Sequence, residues 1–203
     1  MLIANGDFPG KKFVEVLQKK CKLTLCLDGA YDHCLKNNIS IDLVLGDMDS
    51  VTESVTESIV LLEDQNKSDL DKGLDWIENN NYATVLLCGH HGGRKDHELM
   101  NIMIAYQHSK KIHISMVEAN TYTEILPAGS YEINMKINEL FSMIALQITE
   151  AIQLSGAKYT LDKASISSVS QGLSNIALKS KIKLSFKNNP LIFIRPHWTI
   201  DDL

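Results

Sequence analysis

The sequence predicts an α/β protein: an N-terminal, largely parallel sheet with flanking helices, followed by a C-terminal all-β, sandwich-like domain. Two observations lead to this prediction. Up to about residue 119, short apolar runs alternate with segments whose apolar residues recur at helical spacing, which is typical of βαβ units. Beyond that point apolar runs continue, but long helical patterns stop. We therefore expect two domains, residues 1–122 and 123–203.

The N-terminal domain begins with apolar runs that we interpret as strands, most of them buried on both faces. Segments between them carry apolar residues on one helical face, as Leu70, Leu74 and Ile77 show. The predicted strands are 2–4, 23–27, 41–45, 59–62, 84–88 and 112–117, and the predicted helices are 11–20, 69–79 and 98–108.

The C-terminal domain shows the alternation of antiparallel strands with one wet face, as in Ile182, Leu184 and Phe186. An Asn-Asn-Pro turn at 188–190 predicts a hairpin between the last two strands. The predicted strands are 122–126, 130–137, 141–148, 151–154, 176–178, 182–186 and 191–194.

Composition and charge indicate which partners and which location to expect. The chain has 25 acidic and 20 basic residues, a formal charge of -5, and no basic cluster interleaved with aromatic residues, so we expect no nucleic-acid partner. It has no apolar segment of membrane-spanning length and no targeting pattern, so we expect a cytoplasmic protein with no membrane partner. The cysteines lack a paired CxxC spacing and are predicted to be reduced thiols: Cys21, Cys26, Cys34 and Cys88.

A pair of carboxylates, Asp47 and Asp49, follows the third predicted strand in the segment LVLGDMDS. The carboxyl ends of strands are where α/β sheets place their functional groups. Closely spaced carboxylates favour a hard cation such as Mg²⁺, which takes one or two carboxylates together with substrate phosphates. A solvated turn is the alternative, because Asp, Gly and Ser are common turn residues.

The segment GHHGGRKDHELMN follows the fifth predicted strand. Arg94 offers a planar fork suited to phosphate oxygens, and Asp96 could cap the following helix. His90 and His91 would point to opposite faces if they lay in a strand, so we do not expect them to share an ion. His97 is interpreted first as a helix-start or core histidine.

Two further strand-end segments carry polar residues. Asp28 and Gly29 indicate either an anion-binding turn or a capped helix start. Ser68 can cap the helix that follows the fourth strand, where Asp69 and Lys72 lie on one face. If the strands are parallel, all of these segments share one edge of the sheet.

Together these segments resemble the ordered motif set of the thiamin pyrophosphokinase family. The blocks are ANGDFPG, DGAYDHCL, GDMDSV, DQNKSDLDKGL, GHHGGRKDHELMNI and, near the end, QGLSN at 171–175. The resemblance implies an α/β ATP-binding catalytic domain, a β-sandwich thiamin-binding domain, and a homodimer with sites between subunits. The implied reaction is diphosphate transfer from ATP to thiamin, giving thiamin diphosphate and AMP. Tyr159 stands where the family usually has tryptophan, and Thr160 where it has proline.

The resemblance also implies roles for single residues. Asp47, Asp49 and Asp69 would hold Mg²⁺. These three, with Lys72 and Arg94, would form the catalytic group. ATP would be bound by Asn5, Asp28, Gly29, Ala30, Arg94, Asp96 and His97, and thiamin by Gln65, Asp69, Tyr159, Ser174 and Asn175.

Two other functions stay open at this point. A pyrophosphokinase that acts on a pterin alcohol could use the same α/β chemistry with another acceptor pocket. A nucleotide or thiamin sensor without catalysis is the second alternative, although such a protein should have lost an acidic metal residue, and this chain has all of them.

Overall fold

The structure is a computed structural model of the chain and describes residues 1–168 and 170–200. It contains two compact units, Met1–Ala119 and Asn120–Leu203. Within the described residues, no helix combines the length and the apolar character needed to cross a bilayer. The cysteines are free thiols, and all but Cys21 are buried.

The first unit alternates strands and helices, as the apolar periodicity predicts. Its elements in chain order are β1 (Leu2–Ile3), α1 (Lys11–Gln18), β2 (Leu25–Leu27), α2 (Asp28–Lys36), β3 (Leu43–Gly46), β4 (Ser58–Leu61), α3 (Asp69–Asn79), β5 (Thr84–Cys88), α4 (Lys95–His108) and β6 (His113–Val117).

These strands form a parallel sheet in the order β6-β5-β1-β2-β3-β4, which confirms the predicted N-terminal architecture. The strand order reverses between β1 and β5, and ligands of α/β proteins bind outside the carboxyl ends of strands at such a reversal. Edge strand β4 departs from the expected burial, because Ile59 and Leu61 are exposed.

Local sequence sets where the helices begin. Ser68 precedes α3, and its hydroxyl accepts a hydrogen bond from the backbone N–H of Asp71 (3.4 Å), as predicted for an N-cap. Helix α4 begins at Lys95, three residues earlier than predicted, and Arg94 occupies the N-cap position. Asp96 therefore lies in the first turn, where its charge complements the helix dipole, and the expectation that it caps the helix is wrong.

The second unit is an antiparallel β structure of two sheets. One has the order β12-β9-β14-β7 and the other β11-β10-β13-β8. Apolar residues of both sheets, including Phe141, Phe193, Ile152 and Leu184, share one buried cluster, which confirms the sandwich-like prediction. The strands are β7 (Tyr122–Leu126), β8 (Gly129–Asn134), β9 (Leu140–Ile144), β10 (Thr149–Ser155), β11 (Leu161–Ile166), β12 (Asn175–Ile176), β13 (Lys181–Lys187) and β14 (Leu191–Arg195).

The predicted hairpin between the last two strands is wrong. Strand β13 pairs with β8 and β10, whereas β14 pairs with β7 and β9, so the turn crosses from one sheet to the other. Asn188 and Asn189 anchor this crossing through side-chain hydrogen bonds to Glu150 and to the carbonyl of Ile148. Strand β11 was not predicted, because its sequence LDKASI lacks a clear apolar alternation.

Candidate active site

The carboxyl ends of the parallel strands of the first unit surround a cavity of about 450 Å³. Each neighbouring strand contributes at least one polar residue or glycine to its wall, which is the convergence expected at one edge of a parallel sheet. The predicted residues that line it are Asn5, Gly29, Asp47, Asp49, Gln65, Asp69, Lys72, Arg94 and His97. The wall also includes Ser50, Lys67, His90 and Asn101, which were not predicted as site residues.

Asp28 is the buried centre of one side of the site. Its two carboxylate oxygens accept hydrogen bonds from the backbone N–H groups of Gly29 (2.7 Å) and Met48 (3.0 Å). Met48 has a φ of 68°, a left-handed conformation that is strained for a side chain of this size. Asp28 therefore holds the turn that separates Asp47 from Asp49.

Two glycines allow this close packing. A Cβ atom at Gly46 would lie 2.3 Å from the Cγ of Asp28, and one at Gly29 would lie 2.3 Å from the Nδ2 of Asn5. Any larger residue at either position would push a site residue away. Ala30, a predicted nucleotide contact, is buried in α2 and is not among the residues that line the cavity.

Three carboxylates meet at this edge: oxygens of Asp28, Asp47 and Asp69 all lie within 4.8 Å of one another. Burial and the charges of Asp69 and Asp47 raise the pKa of Asp28, partly offset by its backbone hydrogen bonds. An oxygen-only donor set that carries this much mutual repulsion suits a hard divalent cation, so the residues present fit Mg²⁺. Asp49 lies outside this group of three but lines the same cavity.

Lys72 supplies positive charge to the carboxylates. Its side chain is only 5% exposed, and its Nζ lies 2.8 Å from Asp69 and 3.3 Å from Asp47. Burial opposes its charge, but the hydrogen bonds to these two residues raise the pKa of Lys72 above its usual value. A hydrogen bond from Gln65 (3.0 Å), with the help of Lys72, lowers the pKa of Asp47 to about 2.

Arg94 extends into solvent beside the cavity, with 74% of its side chain exposed. Its Nε and Nη2 donate two hydrogen bonds to Asp96, at 3.1 and 2.6 Å, and this pairing lowers the pKa of Asp96 to about 2. Asp96 also accepts a hydrogen bond from the backbone N–H of the neighbouring His97. Asp96 thus orients the guanidinium and is not among the cavity-lining residues.

His90 and His91 do not lie in a strand, because β5 ends at Cys88 and Gly89 turns the chain with a φ of 66°. Both rings approach the carboxylate of Glu118, at the end of β6. The premise that they lie in a strand and so point to opposite faces is therefore wrong. Glu118 was missed entirely, although its position after a parallel strand was a signal that could have identified it.

The predicted acceptor residues of the second unit lie together. Asn175 is buried, accepts hydrogen bonds from the backbone N–H of Tyr159 (3.0 Å) and Ile176 (2.8 Å), and donates to the carbonyl of Tyr159 (2.7 Å). The Tyr159 side chain is 59% exposed, with Lys158 Nζ 5.4 Å from the ring centroid. Ser174 has a φ of 57°, and its backbone N–H donates to Ser142.

Several known proteins are similar to this chain. The family described as "Thiamin pyrophosphokinase, catalytic domain" matches residues 14–116. A thiamine pyrophosphokinase of Bacillus subtilis is 31% identical over 162 residues, covering 74% of this chain and 76% of that protein. Thiamine pyrophosphokinase 2 of Arabidopsis thaliana is 27% identical over 156 residues, covering 63% of this chain and 57% of the plant protein.

Solved structures show the same fold. The crystal structure of the Bacillus subtilis thiamine pyrophosphokinase superimposes with a TM-score of 0.79 at 26% identity, covering 97% of this chain and 98% of that one. The Candida albicans thiamin pyrophosphokinase gives a TM-score of 0.78 at 16% identity, covering 96% and 88%, and supports the fold alone. The matched catalytic domain and the bacterial relative together show that this chain belongs to the thiamin pyrophosphokinase family.

Proposed function

We propose that this chain is a thiamin pyrophosphokinase, which transfers the diphosphate group of ATP to the hydroxyl of thiamin and releases AMP. The observation that carries the proposal is the group of three carboxylates, two of them paired with Lys72, at the edge of the parallel sheet in a member of this family. Such a site suits a polyphosphate, which needs opposing charge along its length and a position fixed relative to the acceptor.

In the proposed reaction the thiamin hydroxyl oxygen forms a bond to the β-phosphorus of ATP. The bond between that phosphorus and the oxygen bridging to the α-phosphate breaks, and AMP leaves with the electron pair. We assign the hydroxyl proton to Asp69, a cavity-lining carboxylate at the start of α3. Lys72 and Arg94 are the cations that we assign to the charge on the transferred and departing phosphates.

Magnesium is part of the proposal. Asp47, Asp49 and Asp69 are the predicted ligands, and the geometry adds Asp28 as a fourth candidate. When bound, Mg²⁺ would neutralise polyphosphate charge and polarise the phosphorus that is attacked. The nucleotide would lie along Asn5, Gly29, His97 and Arg94, which line the same cavity, with Asp96 orienting the guanidinium.

For the acceptor we propose Tyr159 as an aromatic surface for the cationic thiazolium or the flat pyrimidine ring of thiamin. Asn175 already uses its side-chain amide to hold the backbone of Tyr159, so its proposed role is to position Tyr159. Ser174 and Gln65 are the remaining predicted acceptor contacts, and Gln65 also orients Asp47.

The two alternatives receive no support from the comparisons. None of the relatives described above is named as a pterin enzyme. A sensor that had lost catalysis would have no need for the intact group of Asp47, Asp69 and Lys72.

The test is release of AMP from ATP and Mg²⁺ by the purified chain, with thiamin, with a pterin alcohol and without acceptor. We expect AMP only with thiamin, in equal amount to thiamin diphosphate. The Asp47→Asn variant should lose this activity, and Asp162→Asn, an exposed carboxylate on β11, should retain it. AMP release with the pterin alcohol and not with thiamin would refute the acceptor assignment.

The homodimer with sites between subunits, and the cytoplasmic location, remain predictions. Mixing Asp47→Asn chains with Tyr159→Ala chains tests the first, at a thiamin concentration well below the raised KM of Tyr159→Ala, where that variant alone has little activity. If one subunit supplies the carboxylates and its partner supplies Tyr159, half of the dimers would be mixed and each would contain one intact site. Activity would then return to roughly a quarter of the wild-type value. No recovery in demonstrated mixed dimers would contradict the shared site.

A further inference from the structure

A second group of metal-ligating side chains lies next to the cavity and has no role in the proposed reaction. It consists of His90, His91 and Glu118, whose ligand atoms all lie within 4.8 Å of one another. His90 Nε2 is 3.2 Å from Glu118 Oε1, and His91 Nδ1 is 4.0 Å from the same oxygen. The two imidazole rings stand at 62° to each other, so they converge on the carboxylate without stacking.

These ligand atoms are close enough together to bind one metal ion. Zinc binds histidine nitrogen and carboxylate oxygen at about 2.0–2.2 Å, so neighbouring ligands of a tetrahedral ion lie roughly 3.3 Å apart. The distance of 3.2 Å between His90 and Glu118 is close to that value, and a side-chain rotation would bring His91, now 4.0 Å from the same oxygen, to a similar distance. Two imidazoles and one carboxylate also leave a fourth position open, as in zinc sites that bind water or substrate.

One nitrogen of the group has no other use in the structure. His91 Nδ1 is buried, is too far from Glu118 for a hydrogen bond, and finds no partner among the described residues. His90 is 4% exposed, and its Nδ1 is likewise without a partner in that part of the chain. Buried polar atoms are normally satisfied, so an unused nitrogen aimed at a carboxylate indicates a missing ligand.

The other histidine-containing group of the described residues shows the contrast. His108 lies near Asp71 and Asp75, but its Nδ1 already pairs with Glu78 (2.6 Å) and its Nε2 with Asp71 (2.8 Å). Both nitrogens are used, so that group links helices α3 and α4 and offers nothing to an ion.

We propose that His90, His91 and Glu118 form a binding site for a transition-metal ion such as Zn²⁺. Imidazole ligands favour zinc, cobalt, nickel and copper, whereas Mg²⁺ prefers oxygen, so this site and the carboxylate group select different ions. His90 also lines the cavity, which places the bound ion at its wall on the β5 side. The inference does not depend on the proposed reaction, since it concerns metal binding alone.

The experiment is a calorimetric titration of the chelator-treated full chain with Zn²⁺, in excess Mg²⁺ and without nucleotide. We expect one zinc site. Titration with Co²⁺ should give the visible absorption bands of a tetrahedral ion with nitrogen and oxygen ligands. His91→Ala is the decisive variant, because His91 is one-third exposed and its loss is expected to leave the fold intact. His91→Ala and Glu118→Gln should each raise the dissociation constant for zinc by about tenfold to a hundredfold.

Two controls make the result specific. His33→Ala removes an exposed histidine on α2, outside the group, and should bind zinc as the parent does. Asp47→Asn should also retain zinc binding. Absence of zinc binding, unchanged affinity in His91→Ala and Glu118→Gln, or loss of zinc binding in Asp47→Asn would each overturn the proposal.

Discussion

The two units use their polar residues in opposite ways. In the first unit Asp28, Asp47 and Asp69 come from the ends of different elements and crowd together against electrostatic repulsion. In the second unit the buried Asn175 uses both its side-chain oxygen and its side-chain nitrogen in hydrogen bonds to neighbouring backbone. Like charges held close together at a cost in stability indicate a binding site. A buried amide that is hydrogen-bonded to the backbone indicates a structural role.

The difference follows from topology. A parallel sheet brings every strand's carboxyl end to one edge, so polar residues that follow apolar runs must meet there. In an antiparallel sandwich successive strand ends alternate between opposite edges, and each polar residue has its own local partners. In the first unit, functional residues can therefore be inferred from their positions at strand ends. In the second unit, they can be inferred only from the contacts that each residue makes.

The largest effect should come from the crowded carboxylates. Asp47→Asn and Asp49→Asn should each lower turnover by about a hundredfold or more, because each removes charge where polyphosphate and Mg²⁺ are expected. Circular dichroism and thermal unfolding should stay close to those of the parent, since neither side chain is part of the core. Asp162→Asn serves as the control. Parental turnover in either variant at saturating Mg²⁺ would remove that residue from the catalytic group.

Substitution of Asn175 should have the opposite effect and lower the stability of the fold. Asn175→Ala leaves the N–H and carbonyl of Tyr159 without their buried partner and should lower the free energy of unfolding by about 1–3 kcal/mol. Tyr159→Ala, at an exposed position, should change it by less than about 0.5 kcal/mol while raising the KM for thiamin. Urea denaturation and initial-rate kinetics measure both. Equal stability of the two variants would show that Asn175 is not a support.

A smaller effect on catalysis is expected at Arg94. Lysine keeps the charge but loses the planar two-point contact, so Arg94→Lys should raise the KM for ATP by roughly tenfold. Asp96→Asn weakens the orientation of the same guanidinium and should have a milder effect in the same direction. If Arg94→Lys retains the parental KM and turnover, the arginine is a surface residue that only precedes α4.

The smallest effect is expected on the free energy of unfolding at acidic pH. It compares a buried carboxylate of the first unit with an exposed one of the second. Burial opposes the charge of Glu78, but Lys111 and His108 lower its pKa below the usual value. A lowered pKa in the folded state stabilises the protein above the ordinary glutamate pKa of about 4.3, and this contribution is lost as the pH falls below it. Glu78→Gln should therefore show a smaller loss of unfolding free energy than the parent between about pH 5 and pH 3.

Glu132, on β8 in the second unit, provides the comparison. Its pKa is also lowered by lysines, Lys183 first, but about half of its side chain is exposed to solvent. Water and salt screen such pairs, so Glu132→Gln should follow the parental pH dependence. If the two variants behave alike, burial is not what distinguishes these carboxylates.

Much of the first unit could be predicted from sequence. Thr84–Cys88 and Asp69–Asn79 are found with the predicted bounds, because apolar periodicity and the Ser68 cap are local signals. Asp47, Asp69, Lys72 and Arg94 were each predicted, and the parallel sheet brings them to one cavity.

What failed depended on contacts between distant parts of the chain. The approach of Asp28 to Asp47 requires β2 to lie beside β3, and the partners of β13 and β14 cannot be inferred from the turn that joins them. His90 and His91 converge on Glu118 where the chain turns out of β5 at Gly89, which has a positive φ.

The most direct test of the proposed reaction follows the label from ATP carrying radioactive phosphorus at the β-position, with thiamin and Mg²⁺. Diphosphate transfer predicts that all of the label that leaves ATP appears in thiamin diphosphate, while unlabelled AMP forms in equal amount. Asp47→Asn should abolish both products together. Labelled ADP as the product, or AMP formed without label in thiamin diphosphate, would contradict the account.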